Sequence, residues 1–239
     1  MIAMKRIGWL LAIGGTIAAL LLITILVNAF AGIHSVVYTI PAAELSGGLR
    51  LALVSDLHSS RYGFRQEKLM RAIDAAAPDV VLLCGDIFDA AAPFRQASIF
   101  LEAVGQAYPC YYVFGNHEYN SKKVDTVREI MEAAGIPILE GDSLRFTANG
   151  QSIRIAGVTD VRHSYGDYTE QLARVAGTLK RTDEFSVLLS HQPQYIAEIL
   201  GTGADLILSG HTHGGQWSIP SVVNGIYAPG QGLLPKYAG

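Results

Sequence analysis

The stretch Asp79-Val-Val-Leu-Leu-Cys-Gly-Asp86 is an apolar run that stops at a glycine and a carboxylate. The run reads as a strand, and the polar pair as the loop at its carboxyl end. The same punctuation recurs at four other places. Residues 49–54 (LRLALV) lead into Ser55-Asp56-Leu57-His58, and residues 111–114 (YYVF) into Gly115-Asn116-His117-Glu118. Residues 185–189 (FSVLL) lead into Ser190-His191, and residues 205–208 (DLIL) into Ser209-Gly210-His211-Thr212-His213. In open α/β sheets, ligands bind beyond the carboxyl ends of the strands. Five strand ends bearing Asp, His or Asn therefore converge on one place.

Helix-like stretches separate the strands. They cover residues 65–77, ended by Pro78, and residues 93–107, with a proline in the first turn. A third runs from a cap at Ser121 to about residue 134, with Gly135 behind it. Two more run from about 169 to 179 and from 193 to 200. Asn149-Gly150, between 144–147 and 152–158, predicts a hairpin. Asn224-Gly225 predicts a last one, between 221–223 and 226–228, and residues 36–40 predict an edge strand. Strands alternating with helices give βαβ units, and the hairpins add antiparallel strands. The expected class is α/β, with mixed β-sheets.

The chain has 239 residues, is 50% hydrophobic and 16% charged, and carries a formal net charge of -3. No basic stripe is present to neutralise phosphates, so no nucleic-acid partner is expected. Cys84 and Cys110 form neither a CxxC pair nor a disulfide framework and read as small core residues. Residues 9–30 carry no charge, which is about the ~20 apolar residues that cross a bilayer. Lys5 and Arg6 precede them, and no further Lys or Arg follows until Arg50. By the positive-inside rule the N-terminus is cytoplasmic and the rest of the chain is outside. An uncleaved membrane anchor over residues 1–31 is favoured over a signal peptide cut at Ala29-Phe-Ala31, because the apolar run exceeds the ~7–15 residues of a signal core. Residues 32–48 then form a connector and residues 49–239 the functional domain. The expected place is a single-pass position in a cell membrane, with the domain on the extracytoplasmic side.

The ligand types decide the chemistry. Asp, His and Asn donors without thiolates suit Mn, Fe or Zn. Asp56, His58, Asp86, Asn116, His191, His211 and His213 are too many for one ion but enough for two divalent ions sharing a carboxylate. A two-metal site activates water and clamps the oxygens of a phosphoryl centre.

Asp56-x-His58, Gly85-Asp86-x-x-Asp89, Gly115-Asn116-His117-Glu118, His191 and Gly210-His211-x-His213 resemble, in order, the five blocks of the calcineurin-like metallophosphoesterases. With the leading apolar segment, GHTHGGQ is similar to the bacterial membrane-associated branch. The resemblance spans roughly residues 49–220. It implies two packed mixed sheets flanked by helices. It gives Asp56, His58 and His213 to a first metal, and Asn116, His191 and His211 to a second, with Asp86 between them. His117 would meet the scissile phosphate, while Asp89 and Glu118 would orient ligands. Family members run on for a few more strands, so C-terminal edge strands are expected to be missing here.

The implied activity is hydrolysis of a phosphoester or pyrophosphate bond. A short tether favours a lipid-linked substrate, and a UDP-diacylglucosamine-type hydrolase is the alternative in specificity. A non-catalytic metal- or phosphate-binding module is the reading from another class. His163, with Arg162 and Tyr165, lies in a loop that either lines the pocket or only covers the surface. Tyr62 and Phe64 touch substrate or membrane, or simply pack. His34 falls outside every block.

Overall fold

The computed structural model describes residues 2–30, 33–216 and 225–238. The chain divides into two units, Met1–Val36 and Val37–Gly239. The first is built on α1, Ile2–Phe30, 29 residues long. Thr16 and Thr24 return their hydroxyls to the carbonyls of Ala12 and Leu20, so neither presents an unmet donor along the helix. Described side chains such as Trp9, Leu11, Leu20 and Ile23 are exposed. Among the described residues, no helix meets the length and apolarity needed to cross a membrane.

The second unit holds two main sheets. In the first, β1 (Leu51–Val54), β2 (Val80–Cys84) and β3 (Cys110–Val113) lie in that order, all parallel. A central parallel strand is covered on both faces and needs an unbroken apolar run. That is why residues 80–84 carry no polar side chain, and all five are fully buried. The second sheet is mixed, in the order β4 (Asp142–Ala148), β5 (Gln151–Gly157), β6 (Ser186–Leu189) and β7 (Leu206–Leu208). β4 and β5 form the hairpin that Asn149-Gly150 predicts, with both turn residues at positive φ (52° and 71°). The β5–β6 and β6–β7 pairs are parallel.

The two sheets share one core. Val80, Leu82, Cys84 and Val113 pack with Phe146, Ile153, Ile155, Val187 and Leu189. On the other face of the second sheet, Ala156 and Leu188 meet Tyr168, Leu172 and Val175 of α6 (Tyr165–Leu179) and Ile199 of α7 (Ile196–Leu200). Helix α2 (Glu67–Ala76) buries Leu69 and Ile73, and α3 (Arg95–Ala107) buries Ala97, Phe100, Leu101 and Val104. These are the three- and four-residue spacings of an amphipathic helix. Each of these side chains except Ala97 contributes roughly 1.5–3 kcal/mol. Truncating a fully buried one, as in Leu82→Ala, would cost about 2–5 kcal/mol.

Four local expectations are corrected. The helix expected from Ser121 to about residue 134 is α5 (Val124–Ala133), which starts after Lys123, and an unexpected short helix, α4 (Asn116–Asn120), precedes Ser121. Ser121 closes α4, its hydroxyl donating to the Glu118 carbonyl at 2.6 Å. The polar block Asn116-His117-Glu118 is thus a helical turn rather than a loop. Helix α6 begins earlier than residue 169 because Ser164 caps it, accepting from the Asp167 N–H at 3.3 Å. Residues 36–40 form no strand, and Val36, Val37 and Tyr38 are exposed. The last hairpin joins β8 (Tyr227–Ala228) to β9 (Gly232–Leu233). Residues 221–224, half of the hairpin expected there, lie outside the described residues.

Candidate metal centre

The strand-end loops are tied together by their backbones before any side chain acts. The N–H groups of Asp56, His58 and Ser59 donate to the carbonyls of Gly85, Asp86 and Ile87 at 3.1, 2.9 and 2.9 Å. The loop after β1 therefore runs beside the loop after β2. Gly210 N–H donates to the His191 carbonyl at 3.0 Å, joining the loops after β7 and β6. Finally His211 N–H donates to both carboxylate oxygens of Asp56, at 3.1 and 2.9 Å, which joins the ends of the two sheets.

Asp86 sits at the centre and is 1% exposed. One of its oxygens accepts from the His117 N–H at 2.8 Å, and the other lies 3.1 Å from His191 Nε2. Burial works against its charge, but His191 and then the His117 N–H hold the carboxyl down at about 2. His191 Nδ1 lies 2.7 Å from the Cys84 carbonyl. A carbonyl only accepts, so Nδ1 carries a proton and Nε2 is the nitrogen aimed at Asp86. Burial lowers the His191 pKa, yet Asp86 outweighs it and raises the ring to about 9. His211 shows the opposite balance: burial, then the neighbouring His191, lowers it to about 4. Burial also lowers His58.

Two sets of three ligands emerge. Asp56, His58 and His213 form one, and Asp86, His191 and His211 the other, with one ligand atom per residue all within 4.8 Å of one another. In the first, His58 Nε2 lies 3.3 Å from His213 Nε2 and 3.8 Å from an Asp56 oxygen. The same His58 nitrogen is 3.9 Å from Asp86 Oδ2, the oxygen that faces His191. One carboxylate thus borders both sets. A third grouping, His58, Asp89 and His117, uses the back of the His58 ring. Asp89 Oδ2 lies 3.3 Å from His58 Nδ1, placed to fix the ring while Nε2 points inward.

The residues fit divalent cations. Asn116 Oδ1 is buried without a hydrogen-bond partner, a costly state for a polar atom unless something else meets it, and His191 Nε2 and His58 Nδ1 meet only the carboxylates of Asp86 and Asp89, at 3.1 and 3.3 Å. The donors are imidazole nitrogens and oxygens only, suited to Mn, Fe or Zn. Cys84 does not join them: its thiol donates to the Leu208 carbonyl at 3.3 Å, and burial pushes its pKa far above the ordinary range.

His117, on α4, sets its ring against His58 of the first set, with centroids 4.4 Å apart, and its side chain is 32% exposed. Its Nδ1 accepts from the Ala90 N–H at 3.2 Å, so the neutral ring keeps its proton on Nε2. Glu118, fully buried, accepts from the N–H groups of Asp86 (3.0 Å), Phe88 (3.0 Å) and Gly115 (2.8 Å). Burial and the nearby Asp86 raise its pKa to about 7.

Two features escape sequence reading. Asp56, His58, Asp86, His211 and His213 all have left-handed backbones, with φ of 54°, 48°, 52°, 70° and 50°. Each costs about 1–2 kcal/mol and clusters where function concentrates. The second is a polar wall after β5. Asp160, 2% exposed, accepts twice from Gln192 Nε2, at 2.9 and 2.7 Å, and Gln192 follows His191 directly. Tyr119 shares a hydrogen bond with Thr159, and the His163 ring stacks on Tyr119 at 5.1 Å. The signal was there: residues 153–158 end in Thr159-Asp160, the same punctuation as the other strands.

Residues 49–215 match the family model of the calcineurin-like phosphoesterases. The chain is 30% identical over 191 residues to YpbG of Bacillus subtilis (strain 168), covering 77% of this chain and 70% of that protein. It is 31% identical over 216 residues to the transmembrane protein with metallophosphoesterase domain of Danio rerio, covering 84% of this chain and 49% of that one. The chain therefore spans about half the length of the fish relative. The crystal structure of TT1561 of Thermus thermophilus superposes with a TM-score of 0.51 at 14% identity, over 68% of this chain and 81% of that one, which speaks to the fold alone. Fold, strand-end site and family model agree on a metal-dependent phosphoesterase domain of the hydrolase class. The chain belongs to the calcineurin-like phosphoesterase family, whose members use two divalent metal ions.

Proposed function

We propose that this chain is a membrane-tethered hydrolase that cleaves a phosphoester or pyrophosphate bond of a lipid-linked substrate. The observation that carries the catalytic part is Asp86, bordered by His191 on one side and His58 on the other. Asp56, His58 and His213 would hold one cation, Asn116, His191 and His211 a second, and Asp86 would serve both. When bound, such cations offset the charge of a phosphoryl group and lower the pKa of water towards ~7.

The protein's own groups do the rest. The Cys84 carbonyl and Asp89 keep His191 and His58 turned to the site. Asp56 holds the His211 loop by its backbone. His117, with its proton on Nε2, donates to the leaving oxygen. The second sheet and the Asp160–Gln192 wall close one side of the site.

The tether rests on α1, whose residues 9–30 carry no charge and follow Lys5 and Arg6. The fish relative's name supports the same reading. A tether of this kind holds the site near a bilayer on its extracytoplasmic side, which favours lipid-linked substrates over free ones.

The test uses the full chain in nonionic detergent with Mn and bis(p-nitrophenyl) phosphate. Hydrolysis should require the metal, stop with chelator and be lost in Asp86→Asn. Metal binding without turnover would leave a binding module instead. Protease access from either side of sealed vesicles tests the orientation.

A further inference from the structure

The loops that leave β1 and β2 towards the metal centre do not end there. They continue into a cavity of about 220 Å³ lined by Arg61, Phe64, Arg65, Arg95, Gln96 and Ile99. Arg61 lies three residues after His58, and Arg95 six after Asp89. Arg61 and Arg65 lie four residues apart in one loop of a chain of net charge -3, and the fold brings Arg95 to them. No carboxylate lines the cavity. Among the described residues, none of the three forms an ion pair, and the nearby Glu67 is taken by Arg71 at 3.6 Å.

The loop is held in this shape at a cost. Gly63, Arg65 and Gln66 have φ of 86°, 49° and 63°, a left-handed run that two non-glycine residues rarely adopt. Gln66, fully buried, pins it: its amide donates to the Ser60 and Gln96 carbonyls at 2.8 and 3.0 Å, and its oxygen accepts from the Tyr62 N–H at 2.7 Å. Strain maintained by a buried clamp marks a place where conformation serves binding. Arg61, Arg65 and Arg95 are exposed and without a carboxylate partner; Arg61 Nε donates to the Gly63 carbonyl at 3.1 Å, which leaves its two outer amino groups, with the forks of the other two, to meet an oxyanion. Phe64, 67% exposed, adds an apolar flank.

We propose that this cavity is a second anion subsite, which takes a phosphomonoester carried on an apolar body. Its role as a substrate subsite rests on the phosphoesterase reading above, but anion binding itself does not. The cavity would hold one phosphate of the substrate while the bond to another group is cut at the metal centre. It narrows the substrate class to molecules with a phosphate besides the scissile one.

The experiment uses the full chain in nonionic detergent, stripped of metal with chelator so that the metal centre contributes no anion affinity. Glycerol 3-phosphate is titrated by calorimetry, and in a second arm mixed micelles containing phosphatidic acid. Binding is expected in the wild type and about tenfold weaker in Arg61→Gln/Arg95→Gln. Arg61→Lys/Arg95→Lys, which keeps the charge but loses the fork, should fall between. Melting temperature and manganese uptake of each variant control for folding. Tighter binding of the micelles assigns the anion to a lipid headgroup, and equal binding to a free phosphate; both support the subsite. No binding of either ligand by the wild type, or unchanged binding by a folded glutamine variant, overturns it. Because the metal is absent, failure here leaves the hydrolase reading standing, and absence of hydrolysis leaves this one.

Discussion

The backbone N–H of His211 donates to both carboxylate oxygens of Asp56, across 155 positions of sequence. One ligand of the first set thereby positions a ligand of the second. Asp56→Ala should then lose metal at both sites, whereas His213→Ala should lose it at one. Elemental analysis of dialysed protein would count the ions. Equal losses in the two variants would mean that the Asp56–His211 contact does not couple the sites.

Metal uptake should release a proton. His191, raised to about 9, is charged at neutral pH in the metal-free protein, while His211, lowered to about 4, is already neutral. Apparent affinity should rise about tenfold per pH unit between pH 6.5 and 9 from the His191 contribution. The sign for stability is opposite. A folded pKa raised above the unfolded value stabilises fully below pH 6.5 and is lost as pH rises through 9. Metal-free protein should therefore lose thermal stability over that window and metal-loaded protein should not. Calorimetry in buffers of differing ionisation enthalpy reads the proton directly.

His117 belongs to neither set of three, and its Nδ1 is held by the Ala90 N–H. His117→Ala should leave metal content intact and lower kcat by about 10²–10⁴. The loss should be largest for substrates with poor leaving groups, since those most need the proton. Uniform loss across leaving groups would point to a positioning role.

Gly210 has no room for a side chain. A Cβ there would fall on Ser55 Oγ and lie 2.6 Å from Asp56 Oδ2. Gly210→Ala should cost about 1–3 kcal/mol, seen as a lower melting temperature, and reduce metal affinity by displacing Asp56. Full metal affinity at a normal melting temperature would show that the loop can move aside.

The strand-end punctuation was legible because a covered parallel strand must be apolar and its loop must not be. It placed Asp56, Asp86, Asn116, His191 and His211 correctly at strand ends. The short helix at Asn116 was not legible, since five polar residues show no periodicity; it forms because Glu118 folds back onto the Gly115 N–H. The left-handed conformations of Asp56, His58, Asp86, His211 and His213 leave no compositional trace, because glycine is the residue that advertises such backbone. Arg61 and Arg65 are four residues apart and form no basic run, and only tertiary structure brings Arg95 to them.

Both thiols of this chain are hidden. Cys84 is fully buried, and burial pushes Cys110 up to about 12. Neither competes for a maleimide or a spin-label reagent at neutral pH. A cysteine introduced in place of the exposed Phe64 would therefore be the single labelled position. Its fluorescence or paramagnetic signal would report from the rim of the arginine cavity in real time, without first rebuilding the protein as a cysteine-free variant.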